Sequence, residues 1–166
     1  MQDHEFFKGL AEKVENRNSN TPHKMFPAID TKDSNGARVQ TKRYKDKTLV
    51  VNFWASWDSI SLNEMKELSR LYTTVDTSKV VMLNISLDYD TVAWRRCIEK
   101  DSIAGVNVCD GKAWDGEVVK KFSISNLTFS MLVTPYHRIE KFGLRKDNFV
   151  ESVNNSIAKY SKAKRR

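Results

Sequence analysis

The sequence predicts an α/β sandwich with a mixed central sheet and an N-terminal β-hairpin. Three observations predict it. Two near-continuous apolar runs rich in β-branched residues, TLVVNFWA (48–55) and KVVMLNISLD (79–88), have the character of strands buried on both faces, as in a sheet covered by helices. Helix-like segments alternate with these strands through the middle of the chain, which implies parallel strands joined by crossover helices. Near the C-terminus the order changes to strand, strand, helix, which implies an antiparallel edge.

The elements follow in order. Residues 1–20 hold one short amphipathic pattern, with Phe6, Phe7, Leu10 and Val14 at helical spacing. The polar stretch NRNSN (16–20) reads as a linker, so residues 1–20 form an appended helix and linker, and the compact domain spans 21–160. Within residues 25–48, Asn35-Gly36 stands between extended segments, a strong hairpin signal because both residues tolerate positive φ. After the first buried strand, SLNEMKELSRLY (61–72) places Leu62, Met65, Leu68 and Tyr72 on one helical face. After the second, TVAWRRCIEK (91–100) is a helix pairing Trp94 with Ile98, GVNVCD (105–110) is a short extended piece, and EVVKKFSI (117–124) is a short helix carrying Val118, Val119 and Phe122. FSMLVTP (129–135) and RIEKFG (138–143) are strands joined around Pro135-Tyr136-His137. The last helix covers 147–160, with Asp147 as N-cap and Phe149, Val153, Ile157 and Tyr160 as its buried stripe.

Composition narrows the function classes. The chain has 166 residues, 40% hydrophobic and 30% charged, enough for one globular domain with its own core. No apolar run approaches the ~20 residues of a membrane span. The start, MQDHEFFKGLAEKVEN, has no basic region followed by an apolar core, so no secretory signal is expected in it. Net charge is +7, much of it in a basic tail, residues 161–166, with Lys159 just before it and Lys162, Lys164, Arg165 and Arg166 within it. Such a tail suits an anionic partner or is simply a solvated end. No helix-turn-helix, finger or RNA-binding signature accompanies it, so nucleic acid is not expected as a partner. Cys97 and Cys109 match neither a CxxC nor a zinc pattern and read as buried free thiols, with a disulfide between them the other option. His4, His23 and His137 are scattered without ligand spacing. No metal and no cofactor is expected.

The stretch LVVNFWASWDSISLNEMKEL resembles the centre of the TlpA/ResA-like, AhpC/TSA-related thiol-disulfide oxidoreductases, whose pattern is an apolar strand, F-W-A-x-W-C-x-x-C, and a helix beginning x-x-E-M-P-x-L. Phe53, Trp54, Ala55 and Trp57 match the strand end, and Glu64, Met65 and Leu68 match the helix. VVMLNISLD resembles the next family strand, which ends in I-S-x-D. MFPAID resembles the motif at which the family domain begins, and KKFSISNLTFSMLVTPYHRIEKFGL resembles the segment around its cis-proline and final hairpin. The likeness covers about residues 24–160. It implies a thioredoxin-like three-layer α/β/α sandwich and, for location, the bacterial periplasm or cell envelope.

The resemblance breaks where the chemistry belongs. The family's two cysteines fall on Asp58 and Ser61, the proline between them on Ile60, and the cis-proline on Thr128. Thiol exchange needs a thiolate nucleophile and a second thiol to resolve the mixed disulfide, and neither side chain supplies one. Glu64 stands where the family has a glutamate resembling a proton relay, with no thiol to serve. Asp58 at the positive end of a helix is expected to cap its free N–H groups, and Ser61 with Glu64 also fits an S-x-x-E capping pattern, with the helix read from Ser61. A trans bond is expected before Thr128, because cis costs ~2.5–4 kcal/mol without proline.

Three functions follow as expectations. The first is a redox-inactive binding or scaffold module meeting a protein or peptide at the former active-site face, through Trp57, Ile60 and Phe129, with Trp54 beside them. The second is a thiol enzyme working through Cys97 or Cys109, although sequence order places neither at the active-site end. The third is a basic-tail binder of an anionic partner.

Overall fold

The computed structural model describes residues 24–163. The expected N-terminal helix and linker, the domain start at residue 21, His4, His23 and tail residues 164–166 lie outside the described residues.

Strands β1 (Asp30–Lys32) and β2 (Arg38–Gln40) form the hairpin across Asn35-Gly36. Then come β3 (Thr48–Trp54), α1 (Ser59–Tyr72), β4 (Val80–Ser86), α2 (Thr91–Asp101), β5 (Val106–Cys109), α3 (Glu117–Lys121), β6 (Phe129–Val133), β7 (Ile139–Phe142) and α4 (Phe149–Ala163). The five-stranded sheet has the order β5-β4-β3-β6-β7. Strands β3, β4 and β5 are parallel, and β6 and β7 add antiparallel partners beside β3.

Every residue of β3 and β4 is buried, because both faces of the sheet are covered. Side chains alternate between the faces. Leu49, Val51 and Phe53 join Leu83, Ile85 and Met131 under a layer built from the N-terminal segment (Phe26, Ile29, Val39) and the α3 region (Val119, Ile124, Leu127). Val50 and Trp54 face the other way, with Met82 and Leu132, against Met65 and Leu68 of α1, Trp94 of α2, and Phe149 and Val153 of α4.

Several boundaries differ from the sequence reading, among them the end of α4, which runs on to Ala163 and into the expected tail. Helix α3 stops at Lys121 because Ser123 takes φ +51 and its N–H turns back to the Lys120 carbonyl, a left-handed stop. Asp147 is not the N-cap of α4. The residue before the helix is Asn148, whose carbonyl accepts from Ser152 and whose Oδ1 reaches back to the Arg145 N–H at 2.9 Å.

A polar ladder crosses the apolar interior. Asn52, Asn84 and Asn107 lie in register on β3, β4 and β5. Asn52 Nδ2 donates to Asn84 Oδ1 at 2.9 Å, Asn84 Nδ2 donates to Asn107 Oδ1 at 3.0 Å and to the Ala104 carbonyl at 2.8 Å, and Asn107 Nδ2 donates to the Ile103 carbonyl at 3.0 Å. Gly105 is required beside it: φ is +92, and a Cβ there would meet the Met82 carbonyl oxygen at 2.5 Å. A one-residue slip of any of these strands would bury amides without partners, so the ladder favours one register. Asn84→Ala, which strips partners from Asn52, Asn107 and Ala104, is expected to lower stability by about 3 kcal/mol. Urea unfolding with an unchanged m-value checks this.

Candidate functional site

The β3–α1 turn, at the carboxyl end of the sheet, is built around a helix start. The first N–H groups of a helix have no partner within it. Asp58 takes extended backbone angles, and its Oδ2 accepts the Ser61 N–H at 2.8 Å. The helix therefore begins at Ser59, two residues before the expected start, and Asp58 alone is its cap. Ser61 is one turn inside and is not the cap that the S-x-x-E pattern suggested. Its hydroxyl is buried, accepting from the Ala55 N–H at 3.2 Å and facing the carbonyls of Ala55 (3.3 Å) and Asp58 (3.2 Å).

Asp88, at the end of β4, holds the turn from beneath. It is 2% exposed, and its carboxylate accepts the Ser56 N–H at 3.0 Å, the Ser56 hydroxyl at 2.6 Å and the Ser86 hydroxyl at 2.6 Å. Three donors replace the water a buried carboxylate would otherwise need. The Leu87 N–H adds a bond to the Trp54 carbonyl at 2.8 Å. Sequence reasoning matched Asp88 to the family's I-S-x-D strand end and gave it no role. The spacing of Ser86 and Asp88, with Ser56 preceding Trp57, was the available signal.

The site residues separate. Trp57 and Ile60 are exposed beside the helix start. Trp54 is completely buried among the helices and offers no surface to a partner. The Phe129 ring packs between Phe53 and Phe142, with centroids 6.0 and 5.6 Å away, on the opposite face of the sheet from α1. No cis peptide bond occurs among the described residues, and Thr128 has φ +68, a left-handed conformation rare for a β-branched residue. Its N–H donates to the Phe53 carbonyl at 3.2 Å, which ties this loop to the end of β3. Glu64 points inward. Its Oε1 and Asn52 Oδ1 are buried without partners, and both residues line a cavity of about 10 Å³ with Ser61, Thr128 and Ser130.

Both cysteines are free and half-buried. Cys97 lies on α2, and burial, with the Asp101 carboxylate 3.6 Å from its sulfur, pushes its thiol up from 9.0 to about 11. Burial also raises the Cys109 thiol. Cys109 corrects the sequence reading: it ends β5 level with Ser86 and Trp54, and its S–H reaches the Asp88 carbonyl at 3.3 Å. It therefore sits at the same end of the sheet as the turn. His137 occupies the β6–β7 turn at φ +58, and burial lowers its pKa. Lys159, near the basic tail, is held by Glu140 at 2.9 Å. Among the described residues no three His, Cys, Asp or Glu side chains gather to hold a metal, and no helix is long and apolar enough to cross a membrane.

Two measurements test this geometry. Asp88→Ala is expected to cost about 3 kcal/mol in urea unfolding and Asp58→Ala about 1 kcal/mol; the reverse ranking would mean that the turn does not hang on Asp88. Raised pKa values leave both thiols protonated near neutrality, so iodoacetamide should alkylate the native protein far more slowly than the unfolded chain. The Cys97 rate should climb as pH rises toward 11.

The AhpC/TSA family model matches residues 22–153. The thiol-disulfide oxidoreductase ResA of Bacillus thuringiensis is 23% identical over 110 residues, covering 66% of this chain and 62% of that protein. The chain thus spans less than two thirds of the length of this curated relative. Among solved structures, the C-terminal domain of a protein described as a thiol-disulfide oxidoreductase from Bacteroides thetaiotaomicron superposes with TM-score 0.76 at 29% identity, covering 84% of this chain and 97% of that one. A thiol-disulfide oxidoreductase from Bacteroides fragilis gives TM-score 0.69 at 27% identity, covering 80% and 98%. The fold is thioredoxin-like, and the protein belongs to the AhpC/TSA family.

Proposed function

We propose that this chain is a thioredoxin-like domain without thiol–disulfide exchange activity, acting as a binding or scaffold module through the face that carries Trp57 and Ile60. The observation that carries this reading is the Asp58–Ser61 bond. The two positions that match the family's cysteines hold a cap and a buried hydroxyl, already satisfied by each other and by Ala55. A carboxylate does not undergo thiol exchange, and serine forms no disulfide. Glu64 then has no thiol to serve. Trp57 at 60% exposure and Ile60 at 72% are the kind of apolar groups that anchor a protein or peptide partner. The family resemblance supports a location in the bacterial periplasm or envelope.

Cys109 gives the rival reading its one supporting observation, since it sits at the turn's end of the sheet. An insulin-reduction assay with dithiothreitol separates the two. The protein is expected to give no acceleration over dithiothreitol alone. Acceleration that disappears in Cys109→Ser or Cys97→Ser would assign the activity to those thiols and end the inactive reading.

A further inference from the structure

The exposed apolar surface at this end of the sheet is wider than the β3–α1 turn. Of the seven large exposed hydrophobic side chains among the described residues, five lie after β3, β4 or β5: Trp57 and Ile60, Tyr89 and Val92, and Trp114. The three strands are neighbours and end level, with Trp54, Ser86 and Cys109 in register. At a strand spacing of ~4.8 Å, the three strand ends from which the connections leave lie within about 10 Å across the sheet. They are also bonded to one another, since Asp88 joins Ser56 on one side and Cys109 on the other.

Each connection carries the same dipeptide, an exposed aromatic followed by aspartate: Trp57-Asp58, Tyr89-Asp90 and Trp114-Asp115. The aromatics are 60%, 66% and 38% exposed. Asp58 and Asp90 cap α1 and α2 through one oxygen each, and Asp115 makes only an exposed pair with Lys120 at 3.2 Å, which is worth little. Segments 55–58, 87–90 and 110–116 together hold five aspartates, of which Asp88 is buried and the other four reach the surface, and one lysine, Lys112. The chain as a whole is +7, so this end runs against the charge of the rest.

Aromatic faces beside carboxylates are complementary to lysine and arginine side chains, through cation–π contact and ion pairing. Ile60 and Val92 add apolar contact around them. We infer that the three aromatic–aspartate pairs form one docking surface for a polypeptide segment in which lysine or arginine alternates with apolar residues. This deepens the binding-module reading and rests on it.

The test titrates the full chain with a synthetic peptide alternating Lys/Arg with Leu/Phe, and with a second peptide in which Glu replaces each Lys and Arg, followed by calorimetry and tryptophan emission. The basic peptide is expected to bind saturably, weaker at high salt, and the acidic one not to bind. Tyr89→Ser, and separately Asp58→Asn with Asp90→Asn and Asp115→Asn, should each weaken binding about tenfold. Asparagine keeps both helix caps, so the second variant folds. Equal binding of the acidic peptide, no binding of the basic one, or affinity unchanged in both variants overturns the inference. A concentration-dependent dimer abolished by the same substitutions would make the occupant a second copy of this chain and overturn it equally. The titration involves no thiol chemistry, so its failure is distinct from a positive insulin assay.

Discussion

The free N–H groups at the start of α1 need an acceptor, and the character of the β3–α1 turn follows from which one they have. A helix N-terminus beside a strand end stabilises negative charge. In a thiol oxidoreductase that field lowers the pKa of a cysteine. Here it is met by the carboxylate of Asp58, bonded to the Ser61 N–H at 2.8 Å. That bond marks where the helix starts; the Ser61 hydroxyl is held inward by its own bond from the Ala55 N–H, and Trp57 stays outside. Asp88 then fixes the same turn to β4 from below. The turn is thus a structural element in its own right, held by Asp58 from the helix side and by Asp88 from β4.

Much of the fold was legible in the sequence because its signals are local. The two apolar runs at 48–55 and 79–88 became the central strands, buried on both faces as their composition required. Asn35-Gly36 made its hairpin. Helical stripes such as Met65 and Leu68 reached the core. The misreadings share a cause: each depended on a partner distant in sequence or on a choice between adjacent polar residues. Ser61 and Asp58 both suit a cap, and only the inward acceptor at Ala55 decides between them. Asp147 and Asn148 are equally ambiguous. The asparagine ladder joins residues 52, 84 and 107, which become neighbours only once the strands are in register. Cys109 seemed remote because it follows the turn by some fifty residues in the chain, yet parallel strands bring every carboxyl end to one edge.

The same geometry supplies the base for the proposed binding surface. Parallel strands deliver three connections to one edge of the sheet, and each carries an exposed aromatic beside an aspartate. These side chains stand on a rigid base: the strands beneath them are pinned by the ladder and by Asp88. A preorganised surface of this kind binds without ordering flexible segments first. The thiols lie within this base, half-buried and with raised pKa values. Their surroundings suit packing better than exchange, since the thiolate is the nucleophile and burial disfavours it.

A domain with Asp58 and Ser61 at the two positions that match the family's cysteines is expected to hold no reversible dithiol–disulfide couple. The most direct test is to equilibrate the native protein with a series of glutathione redox buffers, quench with acid, and determine thiol content and mass after unfolding. Two free thiols per chain and an unchanged mass are expected across the series. Loss of both thiols together with a mass lower by two hydrogens, reversed by dithiothreitol, would reveal an intrachain disulfide couple and contradict that expectation.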